Sequence, residues 1–281
     1  MLSGETWRQL KADKAGMFGL VVVLAFLLLG VFADFLAPYS PYEVNPSNSL
    51  RPPSFEHFLG TDNFGRDELS RILHGARTSI LVAIASVGMG VVIGAPLGLV
   101  SAYVRGKLGN VIMRIVDVLL AFPTIILAIA IVAVTGPGTA NVVMALGFHA
   151  VPQFARIMYG AALSIKESTY VEAAEAIGED AANILFRYIV PNCYQLAIVH
   201  ATMLFPMMVL SMSTLSFLGL GIQPPTPEWG SMLNSARSFM FVAPHLAIFP
   251  GVALSLVVLG FNLLGDSLGD VLDPRQRYVR K

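Results

Sequence analysis

Five stretches of the chain carry no charged side chain: residues 15–33, 78–104, 118–155, 188–227 and 238–265. A helix crosses a hydrocarbon core about 30 Å thick with about 20 apolar residues. The first, second and fifth stretches therefore predict one span each. The third is too long for one span and is broken near its middle by Gly136, Pro137 and Gly138. It predicts two helices and a tight turn, the second helix continuing past Arg156, whose long side chain can snorkel. The fourth is also too long, but its breakers, Pro224, Pro225 and Pro227, sit at its end. It predicts one helix from about Pro191 to Thr214, then an apolar loop or half-inserted segment outside. Lipid offers no partner for open backbone groups, and nothing alternates like a barrel strand. The expected fold is an all-α integral membrane protein with six spans.

The charges between the runs set the orientation. With the N-terminus inside, the inner segments hold Arg8, Lys11, Lys14, Arg105, Lys107, Arg114, Arg156, Lys166, Arg187, Arg275, Arg277, Arg280 and Lys281. The outer segments hold Arg51, Arg66, Arg71, Arg77 and Arg237. Thirteen basic residues against five predict both termini in the cytoplasm. The divisions that follow are an inner tail 1–14, a first span 15–33 and an outer segment 34–77 with an amphipathic helix. A five-helix core 78–265 contains an inner loop 163–191, and an inner tail 266–281 closes the chain. The first apolar run is longer than a usual signal-peptide h-region and lacks a small-x-small cleavage site, so a retained span is expected.

Composition sharpens this picture. Hydrophobic residues make up 55% of the chain and charged residues 13%, against about 25% charged in a soluble domain. A net charge of zero argues against nucleic-acid binding. Cys193, the single cysteine, cannot form an internal disulfide. No phosphate-binding loop, Cys-x2-Cys, His-Glu-x2-His or Gly-x-Ser-x-Gly is present, and no metal site is expected. Asp34, Asp117 and Asp266 lie at the edges of apolar runs, and no carboxylate lies mid-span. An ion-coupled carrier commonly places an ionisable or unwound site there. The chain shows no engine of its own, so a partner must supply the driving force.

Four segments carry more information. In the inner loop, Val171, Ala174 and Ile177, then Ala181, Ile184, Leu185 and Tyr188, keep helical spacing on either side of Gly178. Gly178 suits a left-handed C-cap and Asp180 an N-cap. A short helix pair across the cytoplasmic surface results, read either as an ordinary amphipathic loop or as a surface for a groove in another protein. Outside, Leu69, Ile72, Leu73, Ala76 and Ile80 make one helical face, with Arg66, Ser70, Arg71, His74 and Arg77 mostly elsewhere and Asp67 four residues before Arg71. The third segment, 215–230, is rich in glycine and proline, turns at the outer surface and ends at Trp229, a residue suited to a membrane interface. The fourth is 261–275.

The inner loop, Glu172-Ala173-Ala174 with Gly178 and Pro191, resembles the EAA loop of the membrane subunits of binding-protein-dependent ABC importers. Tyr188 stands where many relatives have His, and Val190 where many have Leu. The outer string with Asp62, Gly65, Arg66, Asp67, Arg71 and Arg77 resembles the dipeptide/oligopeptide/nickel branch, as do the Pro-Pro-Thr-Pro-Glu-Trp-Gly run and the C-terminal segment. Gly269 replaces a common Arg there. The resemblance runs from about Lys14 to Arg277. It implies a non-catalytic permease in a bacterial or archaeal cytoplasmic membrane, with a coupling helix in the inner loop. It also implies a homologous second permease, two ATPase subunits holding ATP and Mg, and an extracytoplasmic solute-binding protein that docks outside. The chain itself is expected to hold no cofactor.

The expected cargo is a di- or oligopeptide, with nickel or a metal chelate the nearest alternative and a self-sufficient secondary carrier a rival of another class. Asp117, His149 and His200, near the interruptions Pro123, Pro152 and Pro206, are candidates for the pathway wall. The ordinary reading of either histidine, a satisfied polar group packed between helices, outweighs the pathway one. Met203, Met207, Met208 and Met212 are assigned to packing. So are Gly88, Gly90, Gly94 and Gly98, the last three at a small-x3-small spacing that lets helices approach closely.

Overall fold

A computed structural model describes residues 4–104 and 107–272. Arg105, Arg275, Arg277, Arg280 and Lys281 of the charge tally lie outside the described residues. Among those described there is no strand, only an isolated bridge between Thr61 and Asp67. The helices are α1 (Gly4–Ala12), α2 (Lys14–Val31), α3 (Ala33–Leu36), α4 (Glu68–Met89), α5 (Ala95–Tyr103), α6 (Lys107–Leu120) and α7 (Thr124–Thr135). They continue with α8 (Thr139–Lys166), α9 (Thr169–Ala176), α10 (Ala181–Asn183), α11 (Val190–Phe217), α12 (Trp229–Ala236) and α13 (His245–Leu272). Four continuous helical segments, Lys14–Val31, Glu68–Tyr103, Ala181–Phe217 and His245–Leu272, are long and apolar enough to cross a membrane. Counting the bent pair α6 and α7 as one span makes five.

In two of the long segments a wide turn precedes a proline that ought to break the helix. Ahead of Pro96, residues Gly90–Gly94 form a π-helical turn, and the Ala95 N–H bonds the Gly90 carbonyl five residues back. Ahead of Pro191, Ile184–Ile189 do the same, with the Val190 N–H on the Leu185 carbonyl. Proline removes a backbone donor and crowds the carbonyl four residues earlier. A single wide turn just before it lets the helix continue.

These continuities correct two expected boundaries. The outer amphipathic helix is no separate element: it is the first turns of α4, continuous with the second apolar run. Likewise the second helix of the inner pair leads through α10 and the π turn directly into α11.

α8 lies at the centre, packed against α4, α5, α6, α7 and α11. Its Leu146, Phe154 and Met158 are buried with Met208, Met212 and Leu215 of α11 and Val257 of α13. The assignment of the glycines to packing holds for Gly90, Gly94 and Gly98 but not for Gly88, where an added Cβ meets nothing within 4 Å. A Cβ on Gly94 or Gly98 would overlap the backbone carbonyl of Val151 or Ala155 on α8, so the two backbones touch there. Gly19 of α2 approaches Gly260 of α13 in the same way. Gly136 and Gly138, both at positive φ, make the turn between α7 and α8.

Candidate docking and transport sites

At the inner loop, α9 ends on Gly178 at φ +80°. The Glu179 N–H bonds the Ala174 carbonyl at 3.1 Å and the Gly178 N–H bonds the Glu175 carbonyl at 3.1 Å. This pair of bonds is a Schellman motif, which satisfies carbonyls that the helix end would otherwise leave open. Asp180 then caps α10 through the Ala182 N–H at 3.2 Å. Ala174 and Val171 are buried, while Glu172, Ala173 and Gly178 are exposed and Ile177 is 82% exposed. Pro191 lies in the first turn of α11. Glu172, Ala173 and Ala174 thus share one short helix that Gly178 terminates, and Pro191 stands beyond the π turn. Two residues that spacing did not single out as a pair meet here: the Tyr188 hydroxyl donates to Glu179 Oε2 at 2.8 Å.

The outer motif folds inward. Asp62 accepts from the Phe64 N–H at 2.8 Å, the Arg66 N–H at 3.0 Å and Arg66 Nε at 2.6 Å, with Arg71 Nε 3.5 Å away. Arg71 also donates to the Pro41 carbonyl at 3.0 Å and, more weakly, to that of Pro225 at 3.4 Å, joining three segments distant in sequence. The expected Asp67–Arg71 helical pair does not form. Asp67 is instead the N-cap of α4, accepting from the Ser70 N–H at 2.8 Å, the Ser70 hydroxyl at 2.7 Å and His57 Nδ1 at 2.9 Å. Gly65, at φ +72°, lies against the Asn45 carbonyl with no room for a side chain. Asp62, Arg66, Asp67 and Arg71 are all buried, so no solvated charged face is present there.

Nearer the apolar zone, Arg77 donates to the Gly30 and Val31 carbonyls at 2.9 Å each, closing the C-terminal end of α2, and pairs with Asp34 at 2.9 Å. Hydrogen bonds from Arg77 and His74 hold the Asp34 carboxyl below the usual carboxylate range.

Two buried acids support this outer layer, and the sequence reading passed over both. Glu68 faces a cavity of about 10 Å³ between the outer loop, α4, α12 and α13, lined also by Asp62, Asn63, Arg66 and Arg71. Glu68 lies ten residues ahead of the uncharged run that starts at Thr78. Burial pushes the Glu68 carboxyl up to about 8; Asp62 and Asp67 add to the rise, Arg71 and Arg66 oppose it. Glu228 caps α12 through the Gly230 and Ser231 N–H groups at 2.8 Å each, and burial raises its pKa against those bonds. Trp229 is not at a lipid interface. It is fully buried, its Nε1 donating to the Ile72 carbonyl at 3.2 Å and its ring edge-on to Phe26.

The three pathway candidates do not touch one another, but each meets the same two turns of α8. Asp117 pairs with Arg156 at 3.2 Å. His149 Nε2 lies 2.7 Å from the Thr124 hydroxyl and 2.6 Å from Gln153 Nε2. The ring of His200 packs on Phe154 at 4.7 Å. Among the described residues, His149 Nδ1 and His200 Nε2 are buried without a hydrogen-bond partner. Thr124 opens α7 immediately after the break at Phe122 and Pro123, where α6 and α7 meet at 90°.

Residues 94–278 match the family described as the binding-protein-dependent transport system inner membrane component. The chain belongs to this family. Residues 2–53 of the permease also match the N-terminal transmembrane domain of oligopeptide transport permease C. It is 44% identical to the dipeptide transport system permease protein DppC of Alkalihalophilus pseudofirmus, over 97% of this chain and 90% of that protein. It is 46% identical to the glutathione transport system permease protein GsiD of Pectobacterium atrosepticum, over 96% and 90%. Among solved structures, a chain of the MetNI methionine ABC transporter in inward-facing conformations shares the fold. It matches with a TM-score of 0.59 at 20% identity, over 72% of this chain and 96% of that one.

The permease is therefore a non-catalytic, multi-pass inner-membrane subunit of an ABC importer. ATP hydrolysis belongs to partner subunits of the same transporter complex.

Proposed function

We propose that this permease carries di- or oligopeptides inward as one half of a six-plus-six-span pore, with both of its termini cytoplasmic. The observation that carries the cargo is the pair of near full-length relatives, one named for a dipeptide and one for glutathione, itself a short peptide. The second half is a homologous permease. Two ATPase subunits, holding ATP and Mg, seat on α9, with Glu172, Ala173 and Gly178 presented outward, Ala174 packing the helix down and Pro191 anchoring it to α11. A solute-binding protein meets the outer layer that Asp62, Gly65, Arg66, Asp67, Arg71 and Arg77 hold together. Asp117 of α6, His149 of α8 and His200 of α11, each set against the same stretch of α8, border the route. ATP-driven closure of the ATPases moves the α9 loops and reorients the spans between inward- and outward-open states.

The test is uptake of labelled di- and tripeptides by cells with and without the chain, together with affinity purification of the tagged permease. Loss of peptide uptake on deletion and recovery of an ATPase subunit with the tag are expected. Retained uptake would overturn the cargo, and a chain that never brings down an ATPase would overturn the importer complex.

A further inference from the structure

We infer that Tyr188 and Glu179 form a strut that sets the attitude of α9, making both positioning residues for energy coupling. The inference rests on the proposed docking of an ATPase subunit on α9. Between α9 and the long helix Ala181–Phe217 the chain has only four residues, Ile177, the αL residue Gly178, Glu179 and Asp180. A glycine at φ +80° fixes the end of α9, but the torsions that follow still permit α9 to swing against α11.

The Glu179 side chain limits that swing. It is only 16% exposed and accepts the Tyr188 hydroxyl at 2.8 Å, which ties the first residue after the cap to the π turn of the next helix. Tyr170 of α9 adds a second link, its ring 6.4 Å from that of Tyr188. Arg187 reaches Glu179 only at 4.0 Å from a 78% exposed position and contributes little. A force applied at the exposed Ile177–Gly178 tip is therefore transmitted to α11, which packs on α8 and α13. Without the strut the same force bends the loop.

The experiment measures peptide uptake and ATP hydrolysis by the full transporter in proteoliposomes. Tyr188→Phe and Glu179→Ala should each lower uptake per ATP hydrolysed by about three- to tenfold, the range expected for one hydrogen bond. Membrane insertion and complex assembly should stay unchanged. Glu179→Gln keeps an oxygen for the hydroxyl and should stay near wild type. The double variant Glu179→Ala/Tyr188→Phe should be no worse than either single change, because both remove the same bond. A wild-type coupling ratio in Tyr188→Phe, equal damage from Glu179→Gln and Glu179→Ala, or additive losses would each overturn the strut. Gly178→Val separates the two levels. Normal uptake in that variant defeats the docking reading itself, whereas uncoupling there with a normal Tyr188→Phe defeats the strut alone.

Discussion

Glu68 shows how the outer layer spends polar groups on cohesion. Its carboxyl, raised to about 8, keeps its proton in the folded protein through neutral pH, while in the unfolded chain it loses that proton near the ordinary 4.5. The folded state then binds more protons than the unfolded state between those two values, so stability falls as pH rises through that window and levels off above it. Glu68→Gln is neutral at every pH and nearly isosteric. Its thermal midpoint in detergent should match wild type near pH 4 and exceed it progressively toward pH 8, by at least about 2–4 °C, the size of a 1 kcal/mol effect in a chain of this length. Parallel curves for the two proteins across that range would show that Glu68 is ionised when folded. The groups facing it are Asp62, Asp67, Arg66 and Arg71, so the measurement reports on the whole buried cluster.

Among elements, the contact between α5 and α8 is the tightest constraint. Gly98→Leu must push apart two backbones that touch at the Ala155 carbonyl, and overpacking of this kind costs about 1–3 kcal/mol or more. Gly88, ten residues earlier on the same helical segment, has nothing within 4 Å of an added Cβ. Gly88→Ala should be neutral or stabilising by up to about 1 kcal/mol through helix propensity. Size-exclusion profiles of fluorescently tagged variants distinguish the two: a folded, monodisperse Gly98→Leu would contradict the close approach. This glycine face was legible in the sequence, because a small-x3-small repeat has one physical meaning in a span. The turn at Gly136–Gly138, the Gly178 cap and the Asp180 cap were legible for the same reason, each resting on residues whose local chemistry decides the outcome. The π turns were not, since nothing in Gly90–Gly94 or Ile184–Ile189 differs from ordinary helix until the following proline is considered. The charged outer segment was legible as a polar face but not as a buried one. Periodicity separates the two sides of a helix, yet whether water or another segment covers the polar side depends on contacts such as that of Arg71 with Pro41 and Pro225. Trp229 failed likewise: its indole N–H suits an interface, but the Ile72 carbonyl meets the same need inside.

For the whole molecule, the number of spans turns on α6, α7 and α8. The four long apolar segments alone return the chain to the side on which it started, and so do six spans. Five would carry the inner loop, with Lys166 and Arg187, to the outside, against the distribution of basic residues. Four and six both leave α9 on the side of the N-terminus and differ in where the Gly136–Gly138 turn lies. α8 has 28 residues, about 42 Å at 1.5 Å per residue, ample for a crossing. Its lower apolarity follows from His149, Gln153 and Arg156, and a helix ringed by α4, α5, α6, α7 and α11 need not be apolar all round. With six spans the turn is outside. A single cysteine in place of Thr139, exposed at the start of α8, in a Cys193→Ser background should react with a membrane-impermeant maleimide in intact cells. Lys11→Cys and Asp180→Cys should react only after permeabilisation. Labelling of Thr139→Cys confined to permeabilised cells would make α6 and α7 a re-entrant pair. The elbow at Phe122 and Pro123, with the Thr124–His149 contact beside it, would then be its deepest point in the membrane.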